Sequence, residues 1–587
     1  MKPTDTSAPD YYHRVVNCQY ACPAHTPVPE YIRLIAERRY TDAYMVNWAS
    51  NVFPGVLGRV CDRPCEPACR RVRVEENPVA ICRLKRVAAD HKESIEDRLP
   101  EIPAIKNGKR IALIGAGPAS LTVARDLLPL GYQVTLFDRE NRAGGMVRSQ
   151  IPSFRLPESV LNEEVDRILN MGVETRFGSD IQSLKALLEE KYDAIFVGTG
   201  APSGRDLNIA GRDEAGAKVQ VGINWLANVA FEHTKAADKK VIVLGGGNTA
   251  MDCCRTALRL GAEQVKVVVR SSYEAMKASP WEKEDAAAEG VEIVNHHVPV
   301  SYVVDNGQLK GMLFDVVESV YDPDGRRSLV STGADPVMIE CDEVLVAIGQ
   351  DATFPWIERD LGIEFDKWGM PLLDKSSLQS TLPQVFFGGD AAFGPENIIT
   401  AVAHGHQAAI SIDLFCEGKH VTAERPAARH SLVSQKMGVH EWSYPSAVSN
   451  EARQAVPHME LKQAIKDRRA EVELGFDEKL ALAEAQRCLS CDVQTVFLAE
   501  RCIECGACED ICPMDCINFT LQGEESDLRR RLRVPANNTA QAVYISKDLK
   551  TGQIMAKDED VCLHCGLCAE RCPTGAWDMQ KFILNPA

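Results

Sequence analysis

The 587-residue chain has no uninterrupted apolar run of about 18 residues, the length a helix needs to cross a bilayer. Its first residues, MKPTDTSAPDYYHR, lack the basic stretch and the apolar stretch of an export leader. A cytoplasmic protein without membrane insertion is therefore expected. Positive charge is also scarce. The formal net charge of −17 argues against nucleic acid or an anionic membrane as a partner. Cysteine, by contrast, is abundant: 21 residues in a chain without a leader point to a reducing compartment and metal ligation, not to disulfides. Hydrophobic residues at 45% and charged residues at 25% are ordinary values, so large cores are available, and the length corresponds to about four domains.

Sixteen of the cysteines fall in tight spacings. Near the C-terminus, Cys502, Cys505, Cys508 and Cys512-Pro513 read C-x2-C-x2-C-x3-C-P, and Cys562, Cys565, Cys568 and Cys572-Pro573 repeat the pattern. One tight loop supplies three thiolates to a small [4Fe–4S] cubane, and the fourth ligand of each run serves the other cluster. Zinc ribbons pair two CxxC halves and do not string three cysteines at this spacing. The two runs are separated by an insertion containing Glu524–Arg531, whose ordinary reading is a solvated charged loop.

Two glycine-rich turns lie upstream. Lys109–Ile114 reads as a strand, followed by Gly115, Gly117 and Ser120 and by a helical stretch, Leu121–Leu128. The first glycine makes the tight turn, and the second lets a pyrophosphate approach the backbone at the helix N-terminus. Ser120 is small enough to stand for the third glycine. A second strand, Gln133–Phe137, ends at Asp138, placed to accept ribose hydroxyls. The pattern recurs at Val241–Leu244, then Gly245, Gly247, Asn248, Thr249 and Ala250, with a helix through Leu260. Its second strand, Val265–Val269, ends at Arg270, where an arginine tolerates or grips a 2′-phosphate. One flavin and one nicotinamide, as NADP or NAD, are expected.

Asn141–Pro157, Gly245–Leu260, Val346–Gln350 and Phe386–Asp390 resemble the small subunit of glutamate synthase. They equally resemble the N-terminal half of dihydropyrimidine dehydrogenase and the large subunit of NADH-dependent ferredoxin:NADP oxidoreductase. The resemblance spans roughly residues 10–495. It implies FAD held by Gly115, Gly117, Asp138 and Gly145, with Gly389 and Asp390 as a second contact. It also implies a nicotinamide domain, about 237–340, inserted into the FAD domain. The family often carries several arginines after the second strand of that domain. This chain keeps Arg270 and has Ser271, Ser272 and Tyr273 next, so NADH and NADPH both stay open.

The resemblance extends to Cys18, Cys22, Cys61, Cys65, Cys69 and Cys82, which look like the family's N-terminal double-cluster module. The family opens with a further CxxC ahead of the first of these, and the chain lacks it there. Glu484–Cys491 (EAQRCLSC) reproduces that segment far downstream. Cys18 and Cys69 with Cys488 and Cys491 would complete one cluster, and Cys22, Cys61, Cys65 and Cys82 the other. In dihydropyrimidine dehydrogenase one ligand is a glutamine; the register places Lys85 there, and Cys82, one helical turn earlier, is the substitute. Cys253, Cys254, Cys341, Cys416 and Cys516 are left as buried small hydrophobes.

The expected fold is α/β: two nested Rossmann-like domains, an α-helical N-terminal iron–sulfur domain and an α+β ferredoxin-like tail. The expected segments are 1–108 for the iron–sulfur domain, 109–236 with 341–425 for FAD, 237–340 for NAD(P), 426–495 as a connector and 496–587 for the tail. An FAD, a nicotinamide site and four [4Fe–4S] clusters make a redox converter, with the flavin as the reactive group and no catalytic side chain assigned. The leading expectation is an NAD(P)H:acceptor oxidoreductase subunit of a hetero-oligomeric complex, exchanging electrons with a partner enzyme or soluble ferredoxin through the tail. Alternatives are an electron-bifurcating NAD(P)H/ferredoxin oxidoreductase subunit and a glutamate synthase small subunit proper. A disulfide reductase fits poorly, because Cys253 and Cys254 are vicinal on a helix.

Overall fold

The computed structural model describes residues 2–585 except 325, 439–440, 444–447, 522–523 and 537. The chain forms two compact units: residues 100–423 with 457–474, and residues 1–99 with 424–456 and 475–587.

The first of these holds two five-stranded parallel sheets. In one, the strand Arg110–Ile114 lies between Gln133–Asp138 and Ala194–Val197, with Glu174–Phe177 and Val385–Phe387 at the edges. In the other, Lys240–Leu244 lies between Gln264–Val268 and Glu343–Val346, with Glu292–Val294 and Val219–Val221 outermost. Parallel strands covered on both faces must be apolar throughout. IALI, AIFV and VFF meet that need in the first sheet, where Ala112, Ile114, Ile195, Val197, Val385 and Phe387 share a core. The second sheet takes in Val219–Val221 and Glu343–Val346, and so reaches past the 237–340 limits expected for the nicotinamide domain on both sides. An antiparallel sheet from His297–Asp305 to Val337–Glu340 fills the crossover into Glu343–Val346.

From each central strand the chain first winds to one side of the sheet and later returns to pair on the other side. Such a switch point opens a crevice at the carboxyl ends of the strands, where doubly wound folds bind nucleotides.

The other unit begins with short helices. Helix Pro54–Val60 meets helix Ile81–His91 so closely that a Cβ on Gly58 would stand 2.7 Å from the Arg86 Cα. The tail carries helices Ala507–Ile511 and Leu567–Arg571, one after each cysteine loop. Its last strand, Trp577–Asn585, pairs with both Arg429–Ser434 and Val493–Phe497, so the tail shares a sheet with the connector. The charged stretch expected as a loop contains a short helix, Glu525–Arg530, anchored where Arg529 meets Asp558 at 2.7 Å. Among the described residues no helix is long and apolar enough to cross a membrane.

Candidate functional site

The first glycine turn is built for close approach. Gly115 has φ +91°, and a Cβ there would lie 2.6 Å from the Gly198 carbonyl oxygen. Gly117 caps the helix Pro118–Leu127, whose proline at the first turn needs no backbone donor. Ser120 is fully buried, and its Oγ would meet a Cβ on Gly198 at 2.3 Å, so a small residue is required on both sides of that packing. Asp138 Oδ2 accepts from the Ala116 amide at 2.6 Å and Oδ1 from the Glu140 amide at 2.8 Å. Burial pushes its carboxyl up.

Gly115, Asp138 and Gly145 line one cleft of about 360 Å³, together with Met146, Thr199 and Trp356. A Cβ on Gly145 would stand 2.8 Å from the Gly117 Cα, so the two glycine loops touch. Gly389 sits at φ +60° and caps the short helix Asp390–Phe393. Burial pushes Asp390 up to about 6, and its Oδ1 accepts from the Glu396 amide at 3.0 Å. A cleft at the strand ends, floored by glycines that exclude Cβ atoms, fits the pyrophosphate and ribose of a dinucleotide.

At the second turn Gly245 has φ +134°, and a Cβ would stand 2.1 Å from the Ala347 carbonyl oxygen. Gly247 caps the helix Asn248–Arg259 with open space over its Cα. Asn248 Oδ1 accepts from the Ser279 amide at 2.8 Å, Thr249 is half-buried, and Ala250 is buried against the sheet. Arg270 is exposed at the end of its strand.

The cysteines gather in four sets, all within the unit that contains both chain ends. Cys18, Cys69, Cys488 and Cys491 line one small cavity with Ile32 and Arg70, although 470 residues separate Cys18 from Cys488. Cys82 is hydrogen-bonded with Cys61 and Cys65, which holds its thiol well below the ordinary range. Cys22 lies near, for it and the other three surround the buried Lys85 ammonium, whose charge they favour against the cost of its burial. In the tail the fourth cysteines cross over. Cys572 lies with Cys502 and Cys508, while Cys512 lies with Cys562 and Cys565.

A single loop geometry recurs in all four sets. Two residues after Cys61, Cys488, Cys502 and Cys562 stand Arg63, Ser490, Glu504 and His564, with φ of 59°, 49°, 57° and 54°. The left-handed turn aims the backbone N–H of Arg63, Glu504 and His564 at the preceding sulfur, at 3.4, 3.3 and 3.4 Å, and the Ser490 amide also reaches Cys488. L-residues seldom adopt this conformation without compensation. An N–H directed at sulfur favours thiolate over thiol, so the donors fit [4Fe–4S] clusters.

Cys253, Cys254 and Cys341 are buried in hydrophobic surroundings, as expected. Cys516 is not merely a core residue: its Sγ lies 3.4 Å from that of Cys512, and it also reaches Cys562. The spacing Cys512-x3-Cys516 carried that signal. Arg70 and His564, buried between cysteine sets, had no signal in local spacing. Glu559, Cys562 and His564 offer ligand atoms within 4.8 Å of one another. Glu559 is already paired with Lys557 at 2.9 Å and bonded by the Tyr11 hydroxyl at 3.0 Å.

Two glycine turns on nested parallel sheets, the first of them at a cleft, together with cysteine-rich modules at both ends, define a pyridine-nucleotide oxidoreductase with iron–sulfur domains. Residues 91–405 match the model of the pyridine nucleotide-disulphide oxidoreductases, and the chain belongs to that family. Residues 12–96 match domain II of dihydropyrimidine dehydrogenase, a 4Fe-4S cluster domain, and residues 501–576 match a 4Fe-4S dicluster domain. The chain is 37% identical over 506 residues to the NADP(+)-dependent formate dehydrogenase subunit beta of Moorella thermoacetica, covering 81% of this chain and 70% of that one. It is 35% identical over 525 residues to the NADPH-Fe(3+) oxidoreductase subunit beta of Geobacter sulfurreducens, covering 83% and 77%. With the glutamate synthase [NADPH] small chain of Escherichia coli it shares 32% over 418 residues, covering 67% and 87%.

Proposed function

We propose that this oxidoreductase is the nicotinamide-handling subunit of a larger complex, wiring NADPH through FAD and four [4Fe–4S] clusters to a partner enzyme or soluble ferredoxin in the cytoplasm. The observation that carries the reading is the loop with a left-handed residue and an N–H turned to sulfur, found once in each of four cysteine sets. Bound FAD supplies the exchange between a two-electron hydride and single electrons, which clusters accept one at a time. The chain's own part is positional. Gly115, Gly117, Gly145 and Gly389 clear space for the flavin nucleotide. Asp138, already bonded to two amides, has lone pairs left for ribose hydroxyls. Gly245, Gly247 and the helix from Asn248 receive the nicotinamide coenzyme, and Arg270 stands where a 2′-phosphate would be read. Sixteen cysteines, four to a set, hold the clusters.

NADPH is favoured over NADH by Arg270 and by the coenzymes in the names of the three relatives. Those names also supply candidate partner classes: a formate-oxidising subunit, an Fe(III)-reducing system or a glutamate synthase large subunit. Native protein purified without oxygen should be yellow-brown, bleach with NADPH and bring its partner with it. A preparation without flavin, or one whose flavin NADPH leaves oxidised, would sink the reading.

A further inference from the structure

The two cysteine runs of the tail are alike in sequence and unlike in surroundings. Glu504 and His564 hold the same left-handed position in their loops. Around the first run, Ile503 is 53% exposed and Cys505 is exposed. Around the second, the matching Leu563 and Cys565 are half-buried and His564 is buried, while Cys502 and Cys562 themselves are buried alike. Part of the cover over the second run comes from Arg70 of the N-terminal cysteine module and part from the strand Val493–Phe497.

Arg70 follows Cys69 directly and is buried. Its Nε and one Nη2 hydrogen go to the Asn17 Oδ1 at 3.0 and 2.7 Å, beside Cys18, and the other Nη2 hydrogen goes to the Val15 carbonyl at 2.8 Å. Its Nη1 donates to the main-chain carbonyls of Glu559 and Cys562, both at 2.5 Å. All five N–H donors of the guanidinium are therefore used. Its charge is fixed in place between two cysteine sets. His564 completes the bridge: Nδ1 lies 3.2 Å from the Val493 carbonyl, two residues past Cys491, and Nε2 lies 3.5 Å from Arg70 Nη1. That geometry needs the proton on Nδ1 and leaves Nε2 in a long contact with an Nη1 whose hydrogens already go to the two carbonyls.

We propose that Arg70 and His564 form the internal electron junction of the chain, across which the set Cys18, Cys69, Cys488 and Cys491 exchanges electrons directly with the set Cys562, Cys565, Cys568 and Cys512. The set Cys502, Cys505, Cys508 and Cys572 is then the terminal station, facing solvent and the acceptor. The inference rests on the four-cluster reading above. Each step moves one electron: one centre is oxidised by one, its neighbour is reduced by one, and no bond or proton changes place. The physical reason is continuity. A path from Cys69 through one bonded guanidinium to the Cys562 main chain has no gap to cross, and nothing comparable leads to the Cys502 loop among the described residues. The fixed positive charge also favours the reduced, more negative state of the centres beside it.

The test uses the full-length holoprotein with its iron counted. Mediated redox titration followed by electron paramagnetic resonance needs no coenzyme, so it judges the junction even where the flavin reading fails. Arg70→Met should shift one N-terminal and one tail centre to lower potential, and Arg70→Lys should recover part of the shift. Unchanged potentials in Arg70→Met at full iron content would overturn the junction. The order is tested separately by rapid freezing after NADPH is added, with flavin bleaching recorded as the readout of the functional reading. In Cys565→Ser the signal of the Cys502 set should vanish from early time points and appear only with dithionite. In Cys505→Ser the signal of the Cys562 set should develop as in the native protein. The reverse pattern, or equal timing in both variants, would overturn the order. If either serine variant loses both tail centres, the Arg70→Met potentials decide.

Discussion

The guanidinium of Arg71 donates a hydrogen bond to the carbonyl oxygen of Arg487 at 3.2 Å, across 416 residues of sequence. Arg487 immediately precedes Cys488, so this bond delivers the downstream CxxC to Cys69. Arg487 is itself fully buried, held by Glu484 at 2.5 Å, by Glu75 and by the Asn77 and Pro78 carbonyls. Cys488→Ala with Cys491→Ala should remove about four irons and leave the tail clusters intact, since two thiolates cannot hold a cubane. Full iron in the double variant would show that this CxxC is not a ligand pair.

The carboxylate of Glu484 is a second handle on the same joint. It accepts from the Ala80 amide at 2.7 Å, from the Gln454 amide at 2.8 Å and from Arg487, and it is fully buried. Removing it leaves the Ala80 and Gln454 amides unpaired and Arg487 with Glu75 as its remaining acid, a cost of about 1–3 kcal/mol. Glu484→Ala should lower the unfolding free energy of this unit by that order and shed the same four irons. A denaturation midpoint within error of the native protein would show that the ion pair is dispensable.

Anaerobic iron and sulfide analysis should give about sixteen of each per chain, four for every [4Fe–4S] cluster. About eight would mean that the N-terminal sets stay empty and the tail alone is loaded. The buried thiols make assembly pH-dependent. Burial pushes Cys488 up to about 12, so the empty site holds protons that iron must displace. Reconstitution yield should fall as the pH is lowered.

On the proposed reading, coenzyme choice turns on one exposed side chain. Arg270→Ala should lower kcat/KM for NADPH by about tenfold, the worth of a charge-assisted contact of roughly 1.5 kcal/mol, and leave NADH unchanged. Equal losses with both coenzymes would reduce Arg270 to a solvated charge at a strand end.

Asp390 predicts a pH slope in the flavin-free protein. Its folded value of about 6 lies above that of an unfolded carboxyl, so the folded state binds the proton more tightly. Stability from this group is present below about pH 4 and is lost as the pH rises through 6, a change of about 3 kcal/mol at 1.36 kcal/mol per unit. Asp390→Asn should flatten the slope across that window in urea titrations. A slope surviving in the variant would assign it to another group.

Short-range geometry was legible in the residues themselves. The strand, glycine turn, helix and acid at Arg110–Asp138 appear where the motif puts them, because a tight turn and a close backbone approach tolerate only particular side chains. The Ala, Leu and Glu content of Asp477–Arg487 reads as helix, and a helix Glu478–Ala485 forms there, with the Asp477 side chain accepting from the Leu480 amide at 2.8 Å. The cysteine loops were equally readable, since ligand spacing within one loop is a local matter.

Relationships across the chain were of a different kind. The pairing of Cys488 and Cys491 with Cys18 and Cys69 followed from a family resemblance and a count of ligands, and the single cavity they line depends on the buried arginines Arg71 and Arg487. Arg71 lies in no motif, and although Arg487 falls within EAQRCLSC, nothing local to either residue shows its partner. The sequence alone determined the glycine turns and cysteine loops expected to bind a dinucleotide or a cluster, because those patterns are complete within one turn or loop. Only the tertiary structure decided which cysteine sets lie side by side, because that depends on where Arg70, with five donors to satisfy once buried, finds its acceptors: Val15, Asn17, Glu559 and Cys562, drawn from opposite ends of the chain.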